Sequence, residues 1–255
     1  MDKIVHIGDH YLYVEVHGVA DNYPIVLLHH GLGSTKSWNT QINSLLEAGY
    51  LIIVYDRWGY GKSDKRIEFS MPNFRDDVRD LHRLINKLGI TNATLIGHSD
   101  GGTISLYFAE KYQHLISSVI AVSAHIYVEE KMKLGIERIH KYYISDPNFR
   151  VGLQRLHGEY SEQIFDNWYN GWKNVDNEVW DMRPIIKNII CPTLVIQGLL
   201  DEHATPQHAH DICGAIPGAD LWLVNGGNHM VPQEMPADFN EKVISFLDGV
   251  YNRKK

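Results

Sequence analysis

The chain has 255 residues and a formal net charge of −7, from 24 Lys and Arg against 31 Asp and Glu. With 44% hydrophobic and 22% charged residues, its composition is that of a globular protein and excludes a disordered or collagen-like chain. The acidic balance argues against a nucleic-acid-binding protein, and two cysteines are too few for a disulfide framework.

Short apolar runs alternate with amphipathic stretches along most of the chain, which predicts strands alternating with helices. The first run alternates apolar and polar residues like a half-exposed strand, whereas the later runs are continuously apolar, as in strands covered on both faces. The predicted strands are at residues 11–16, 25–28, 51–55, 95–96, 119–122, 193–196 and 221–224. The predicted helices are at about residues 37–48, 73–88, 101–112, 206–215 and 236–251. This pattern predicts an α/β protein with a mostly parallel sheet.

Residues 124–183 interrupt the alternation. They contain no strand-like run, but they show helical patterning and ten aromatic residues. Pro147 directly after Asp146 predicts a helix start, because Asp caps helix N-termini and proline is tolerated in the first turn. We therefore expect an α/β core at residues 1–123 and 184–255, and a helical cap at residues 124–183.

A predicted strand, a sharp turn and a predicted helix surround Ser99. Residues 97–101 read Gly-His-Ser-Asp-Gly. In this context a Gly-x-Ser-x-Gly pattern is typical of a nucleophile elbow, where the serine occupies a strained turn and the glycines leave room for neighbouring chain. The turn also places Ser99 at a helix N-terminus, where free N–H groups favour developing negative charge. Ser99 is therefore the candidate nucleophile.

A serine hydroxyl needs a base to accept its proton, and that base is usually a histidine oriented by a carboxylate. Asp201 follows the predicted strand at residues 193–196, and His229 follows the predicted strand at residues 221–224. We therefore predict a triad in the chain order Ser99, Asp201, His229. Competing residues of the same types are Glu202 and Asp211 for the acid, and His203, His208 and His210 for the base.

The oxyanion that forms when serine attacks a carbonyl needs a pair of donors. Residues 29–33 read His-His-Gly-Leu-Gly and follow the predicted strand at residues 25–28, where their loop can approach the elbow. The backbone N–H groups of Leu32 and Asp100 are the predicted oxyanion hole.

These features resemble the α/β-hydrolase superfamily over essentially the whole chain. Residues 56–64 resemble the Asp-x-x-Gly-x-Gly-x-Ser loop that braces the site in many esterase-like members, and residues 226–236 resemble the family's histidine loop. The resemblance implies an eight-stranded, mostly parallel sheet flanked by helices, with a helical cap inserted after the sixth strand. Ser99 distinguishes the chain from haloalkane dehalogenases and epoxide hydrolases, which use an aspartate nucleophile. Asp100 is less usual at its position than an apolar or amide residue.

The main functional hypothesis is a serine hydrolase that cleaves carboxylic esters of small to medium acyl or aryl substrates through an acyl-enzyme. Most aromatic residues of the cap are expected to pack it against the core, and a few to line a substrate pocket. The candidate pocket residues are Trp38, His125, Trp168 and Trp172. The alternatives are a lactonase, a C–C bond hydrolase of ring-cleavage products that uses the same triad, and a small-molecule sensor on the same scaffold.

This chemistry requires no cofactor and no metal, and the His and Cys spacings typical of zinc sites are absent from the sequence. The N-terminus lacks the apolar run of a signal peptide, and no stretch approaches the roughly 20 apolar residues of a membrane span. We therefore expect a cytoplasmic enzyme that binds a small-molecule substrate and neither nucleic acid nor membrane.

Overall fold

The structure is a computed structural model, and it describes residues 2–175 and 180–252. Residues 176–179 of the predicted cap, and Met1 and residues 253–255 of the predicted core, lie outside the described residues. None of the described helices has both the length and the apolar character that crossing a membrane would require.

Within the described residues, eight strands form one sheet in the order β1-β2-β4-β3-β5-β6-β7-β8. The strands are β1 Asp2–Ile7, β2 His10–His17, β3 Pro24–Leu28, β4 Leu51–Tyr55, β5 Ala93–His98, β6 Ile116–Val122, β7 Thr193–Gly198 and β8 Asp220–Val224. β2 pairs antiparallel with β1 and β4, and the other neighbours pair parallel. The predicted mostly parallel, eight-stranded sheet is confirmed. β1 was not among the strands predicted from apolar runs, because Lys3 and His6 interrupt its apolar residues at this edge of the sheet.

Helices connect the strands and cover both faces of the sheet. The α-helices are α1 Asn39–Glu47, α2 Arg75–Lys87, α3 Asp100–Lys111, α4 Glu130–Ser145, α5 Pro147–His157, α6 Ser161–Lys173, α7 Arg183–Ile186, α8 Gln207–Ala215, α9 Val231–Glu234 and α10 Pro236–Asn252. Short 3₁₀ helices lie at Thr35–Trp38, Gln113–Leu115 and Gly158–Tyr160. Each helix predicted between strands is present, with boundaries that differ by a few residues.

Alternate residues of the central strands point into two separate apolar cores. In β3, Val26 belongs to the core that also contains residues of α2, α3 and α8, whereas Ile25 belongs to the core shared with α1 and α10. This alternation follows from the two-residue repeat of a strand. It explains why these strands read as continuous apolar runs, since both of their faces are buried.

The helices α4 to α7 lie between β6 and β7. α5 begins as predicted: the Asp146 side chain accepts a hydrogen bond from the Asn148 backbone N–H at 2.8 Å, and Pro147 is the first helical residue. Aromatic residues hold the helices together, as in the stack of Tyr143 on Phe165 with ring centroids 3.7 Å apart. The apolar residues of these helices are continuous with the core that contains α2 and α3.

Candidate active site

Ser99 lies on the turn between β5 and α3, in a backbone conformation with φ 55° and ψ −117°. Positive φ is rare for residues other than glycine, so this turn is strained. A Cβ on Gly97 would lie 2.0 Å from the carbonyl oxygen of Gly101, and a Cβ on Gly101 would lie 2.3 Å from the carbonyl oxygen of Leu28. The predicted steric need for both glycines is therefore confirmed.

Asp201 and His229 meet beside this turn. The His229 ring Nδ1 lies 2.8 Å from the Asp201 Oδ2, and both side chains are buried. The competing acid Glu202 instead accepts a hydrogen bond from the backbone N–H of His229 at 3.1 Å. Asp201 also accepts hydrogen bonds from the Gln197 side chain at 2.6 Å and from the His203 backbone N–H at 2.7 Å. The carboxylate is thus held with one oxygen toward the imidazole.

Burial and pairing have opposite effects on these two groups. Burial alone would raise the pKa of Asp201, but His229 and the hydrogen bonds keep it well below its ordinary value. Burial alone would lower the pKa of His229, but the Asp201 carboxylate raises it above its ordinary value. The arrangement therefore stabilises the protonated form of His229. A general base needs this stabilisation after it has accepted a proton.

The loop after β3 lies beside the elbow. Leu32 and Asp100 both line the same cavity as Ser99. Asp100 is the first residue of α3, so its backbone N–H has no acceptor within the helix. On the other side of the loop, the Leu32 carbonyl oxygen lies 3.1 Å from the His157 ring Nε2, which ties this loop to α5.

The Asp100 side chain is buried between two partners. The Trp172 indole N–H donates to its Oδ1 at 3.2 Å, and the Arg57 guanidinium lies 3.5 Å from its Oδ2. Arg57 is itself buried and also contacts Asp77 at 3.3 Å. Burial raises the pKa of Asp100 to about 6, and Arg57 only partly offsets that rise.

The loop at residues 56–64 braces the turn that follows β3. The Asp56 side chain accepts hydrogen bonds from the backbone N–H groups of Thr35 at 2.6 Å and Lys62 at 2.8 Å. A Cβ on Gly61 would lie 2.1 Å from an Asp56 carboxylate oxygen, so only glycine fits there without a shift.

One cavity of about 270 Å³ contains Ser99 and His229. Its volume is at the small end of the range for ligand pockets. The cavity is lined by His30, Gly31, Leu32, Ser99, Asp100, His125, Met132, Ile136, Ile139, Phe149, Trp168, Trp172, Glu202, His203, His229 and Met230. A larger cavity of about 530 Å³ lies between residues 68–72 and α6, and its lining includes no residue of the predicted triad.

Three of the four predicted pocket residues, His125, Trp168 and Trp172, line the cavity that contains Ser99 and His229, but Trp38 does not. Trp38 is fully buried in the core shared with α1 and α10, and its ring packs 6.4 Å from that of Phe239. The short helix after β3 directs it to the opposite face of the sheet. The prediction for Trp38 is therefore corrected to a core residue.

Several lining residues were not predicted from the sequence. Met132, Ile136 and Ile139 lie on one side of α4 at spacings of four and three residues, a helical stripe that could have identified them. His203 was weighed only as a base, yet its ring lies 4.7 Å from that of His229 and lines the cavity. Nothing in the local sequence indicates that position, because it depends on how the acid loop turns after Asp201.

Among residues 2–175 and 180–252, no group of three His, Cys, Asp or Glu side chains is arranged to hold a metal ion.

Comparisons with known proteins point to one family. A family model described as "alpha/beta hydrolase fold" matches residues 23–146. The serine hydrolase BPHL of Mus musculus is 28% identical, across 88% of this chain and 79% of that protein. The 2-hydroxy-6-oxo-6-phenylhexa-2,4-dienoate hydrolase of Burkholderia cepacia is 26% identical, across 88% of this chain and 87% of that protein.

A solved structure has the same fold. The esterase EaEST of Exiguobacterium antarcticum superposes with a TM-score of 0.81 at 23% identity, covering 97% of this chain and all of that one. The family match, the sheet order and the strained serine turn agree, and this chain has the α/β-hydrolase fold.

Proposed function

We propose that this chain is a serine hydrolase that cleaves carboxylic esters of small to medium acyl or aryl substrates. His229 removes the proton from Ser99, whose hydroxyl oxygen attacks the ester carbonyl. The N–H groups of Leu32 and Asp100 stabilise the oxyanion, and His229 then protonates the leaving alcohol. Water hydrolyses the acyl-enzyme with His229 again acting as base, while Asp201 holds the imidazole in the required tautomer.

The observation that carries this proposal is the buried contact of 2.8 Å between His229 and Asp201, next to a serine on a strained turn in the same cavity. A serine hydroxyl becomes a useful nucleophile only with such an oriented base. The similarity to a serine hydrolase and to a dienoate hydrolase supports hydrolysis as the class of reaction.

The charge of the cavity favours esters over acidic substrates. Its described lining contains the carboxyl groups of Asp100 and Glu202 and no Lys or Arg side chain. A C–C bond hydrolase of ring-cleavage products must bind substrate carboxylates, which Glu202 would repel and for which this lining offers no Lys or Arg partner. Neutral esters and lactones meet no such penalty.

We also propose that residues 124–183 act as a cap over the core. α4, α5 and α6 all contribute side chains to the cavity, which supports a role in substrate selection. A Cβ on Gly135 of α4 would lie 2.3 Å from the His203 ring Nδ1, so α4 packs closely on the loop that carries Asp201.

Replacement of the nucleophile tests the proposal directly. Ser99→Ala should reduce hydrolysis of p-nitrophenyl butyrate by at least about 10³-fold, as loss of a triad member does in serine hydrolases. Ser117→Ala is the matched control, because the Ser117 hydroxyl bonds to Asn92 at the other end of β6. Near-normal hydrolysis by Ser99→Ala would refute the assignment. Covalent labelling by a fluorophosphonate is an independent measurement. It should modify Ser99, and replacement of His229 by alanine should suppress it.

Turnover separates an enzyme from a sensor on the same scaffold. An enzyme should release p-nitrophenol steadily over many equivalents, whereas a single-turnover receptor should stop after about one. Parallel assays with simple lactones and with acidic ring-cleavage products should show activity on the neutral compounds only.

A further inference from the structure

His125 is a buried histidine that lines the same cavity as Ser99 and His229. It is 5% exposed, and neither its Nδ1 nor its Nε2 has a hydrogen-bond partner among the described residues. Its main chain is fixed on both sides, because the His125 carbonyl oxygen accepts from the Thr103 hydroxyl at 2.7 Å and the Ile126 N–H donates to His208 at 3.3 Å. The main chain therefore holds the ring in the cavity wall, and no side chain or backbone group within residues 2–175 and 180–252 hydrogen-bonds to its nitrogens.

An unpaired buried polar group is costly. Leaving a buried donor or acceptor without a partner costs about 1–3 kcal/mol, whereas an apolar side chain of the same shape would avoid that cost. Phenylalanine would fill this position between Trp172 and His208, whose rings lie 5.9 Å and 5.5 Å away. A polar atom that enters the cavity would supply the missing bond.

The position of His125 indicates which part of an ester it meets. Its ring centroid lies 5.9 Å from that of His229. In ester cleavage the base delivers its proton to the leaving alcohol oxygen, which then lies about 3 Å from the imidazole nitrogen. Atoms a few bonds beyond that oxygen are the ones that come within reach of His125.

We propose that His125 is a specificity-determining residue that binds a hydroxyl group on the alcohol part of the substrate, two or three carbons from the ester oxygen. The inference rests on the proposed esterase function. A hydroxyl both donates and accepts, so it pairs with either nitrogen of a neutral imidazole. Burial lowers the pKa of His125 to about 3, so the ring is neutral near pH 7 and presents one donor and one acceptor. The substrate class is the monoester of a short diol or polyol.

The test compares matched esters that differ in one group. 2-Hydroxyethyl and 3-hydroxypropyl butyrate are assayed against propyl and butyl butyrate, by titration of the released acid. The unmodified enzyme should favour at least one hydroxylated ester by about 10-fold in kcat/KM, the value of one buried hydrogen bond. His125→Phe should bring that ratio to about 1, and His125→Gln should retain part of it.

The ratio of two kcat/KM values does not depend on the concentration of active enzyme, so partial misfolding of a variant cannot mimic the result. His82→Phe is the matched control, because His82 stacks on Tyr112 at 4.1 Å on α2 and should leave the ratio unchanged. A ratio near 1 in the unmodified enzyme, or one that survives His125→Phe, would overturn the inference. Hydrolysis of both ester types that depends on Ser99 would still support the esterase proposal, whereas hydrolysis independent of Ser99 would refute that proposal itself.

Discussion

The protonation of His229 depends on two opposing effects within a few ångströms. Burial favours the neutral imidazole, while the Asp201 carboxylate 2.8 Å away favours the imidazolium. The carboxylate prevails, and the pKa of His229 is raised. In the unfolded chain Asp201 and His229 would lie far apart and titrate independently. This coupling therefore belongs to the folded protein.

A pH profile of kcat/KM should report this coupling. His229 must be neutral to accept the Ser99 proton, so activity should fall as pH drops through its pKa. Because Asp201 raises that pKa, the midpoint of the acid limb should lie above the ordinary histidine value of about 6.5. In Asp201→Asn the residual activity should show a lower midpoint than in the unmodified enzyme, since Asp201 contributes most to raising the pKa of His229 and only the smaller effects of Glu202 and Asp100 then oppose burial. An acid limb that does not move on this substitution would contradict the assignment of Asp201.

The two neighbouring acids should differ sharply when each is replaced by its amide. Asp201→Asn should lower kcat by about 10³–10⁴-fold, because the amide favours the wrong imidazole tautomer. Glu202→Gln should cost far less, because Glu202 contacts the backbone N–H of His229 and an amide oxygen can accept the same bond. Steady-state kinetics of both purified variants provide the comparison, and the reverse order would exchange their roles.

At the scale of elements, the turn between β5 and α3 depends on close approach between backbones. Gly101 lies in the first turn of α3 and packs against the end of β3, so the helix reaches the sheet with no side chain between them. This contact sets where the helix N-terminus stands relative to the loop that carries Leu32. The predicted oxyanion hole therefore depends on two elements meeting at the correct distance.

Two glycines within helices should respond in opposite ways to the same change. Gly101→Ala places a Cβ 2.3 Å from the Leu28 carbonyl oxygen and should lower the free energy of unfolding by about 1–3 kcal/mol, with loss of activity. Gly152→Ala in α5 meets no atom within 4 Å and should raise it by about 0.5–1 kcal/mol. Urea denaturation measures both values. Equal effects would mean that Gly101 is not confined by β3.

At the scale of the whole molecule, the cavity is built jointly by the sheet core and the helices between β6 and β7. The core supplies Ser99 and His229, and the helices supply the apolar wall that includes Ile136 and Phe149. Neither part alone encloses the volume of about 270 Å³. Substrate size is therefore decided by how these helices dock.

Shortening a wall residue should change the preferred acyl length. The unmodified enzyme should favour short p-nitrophenyl esters and lose activity on long ones, because the cavity is small. Ile136→Ala should enlarge the cavity and move the preferred length upward. Leu153→Ala is the control: Leu153 is buried in α5 but is absent from the lining, so this variant should lose stability without changing the preference. A shift of similar size in both variants would argue against the proposed role of the α4 wall.

Local patterns determined much of this protein. Continuous apolar runs identified the buried strands because both faces of a parallel sheet are covered, and the glycines around Ser99 identified the turn because only glycine avoids the backbone there. The order of Ser99, Asp201 and His229 after successive strands predicted their meeting, since parallel strands end at one edge of the sheet.

Only the tertiary structure decided what surrounds those residues. Trp38 and His125 both follow a strand that leads to the site, yet one side chain packs into the far core and the other lines the cavity. The direction depends on short irregular turns, and neither hydrophobicity nor spacing encodes their dihedral angles. The sequence likewise leaves the orientation of α4 open. Its apolar stripe of Met132, Ile136 and Ile139 must face another apolar surface. Which surface that stripe faces follows only from packing of the complete chain, because the partner lies far away in sequence.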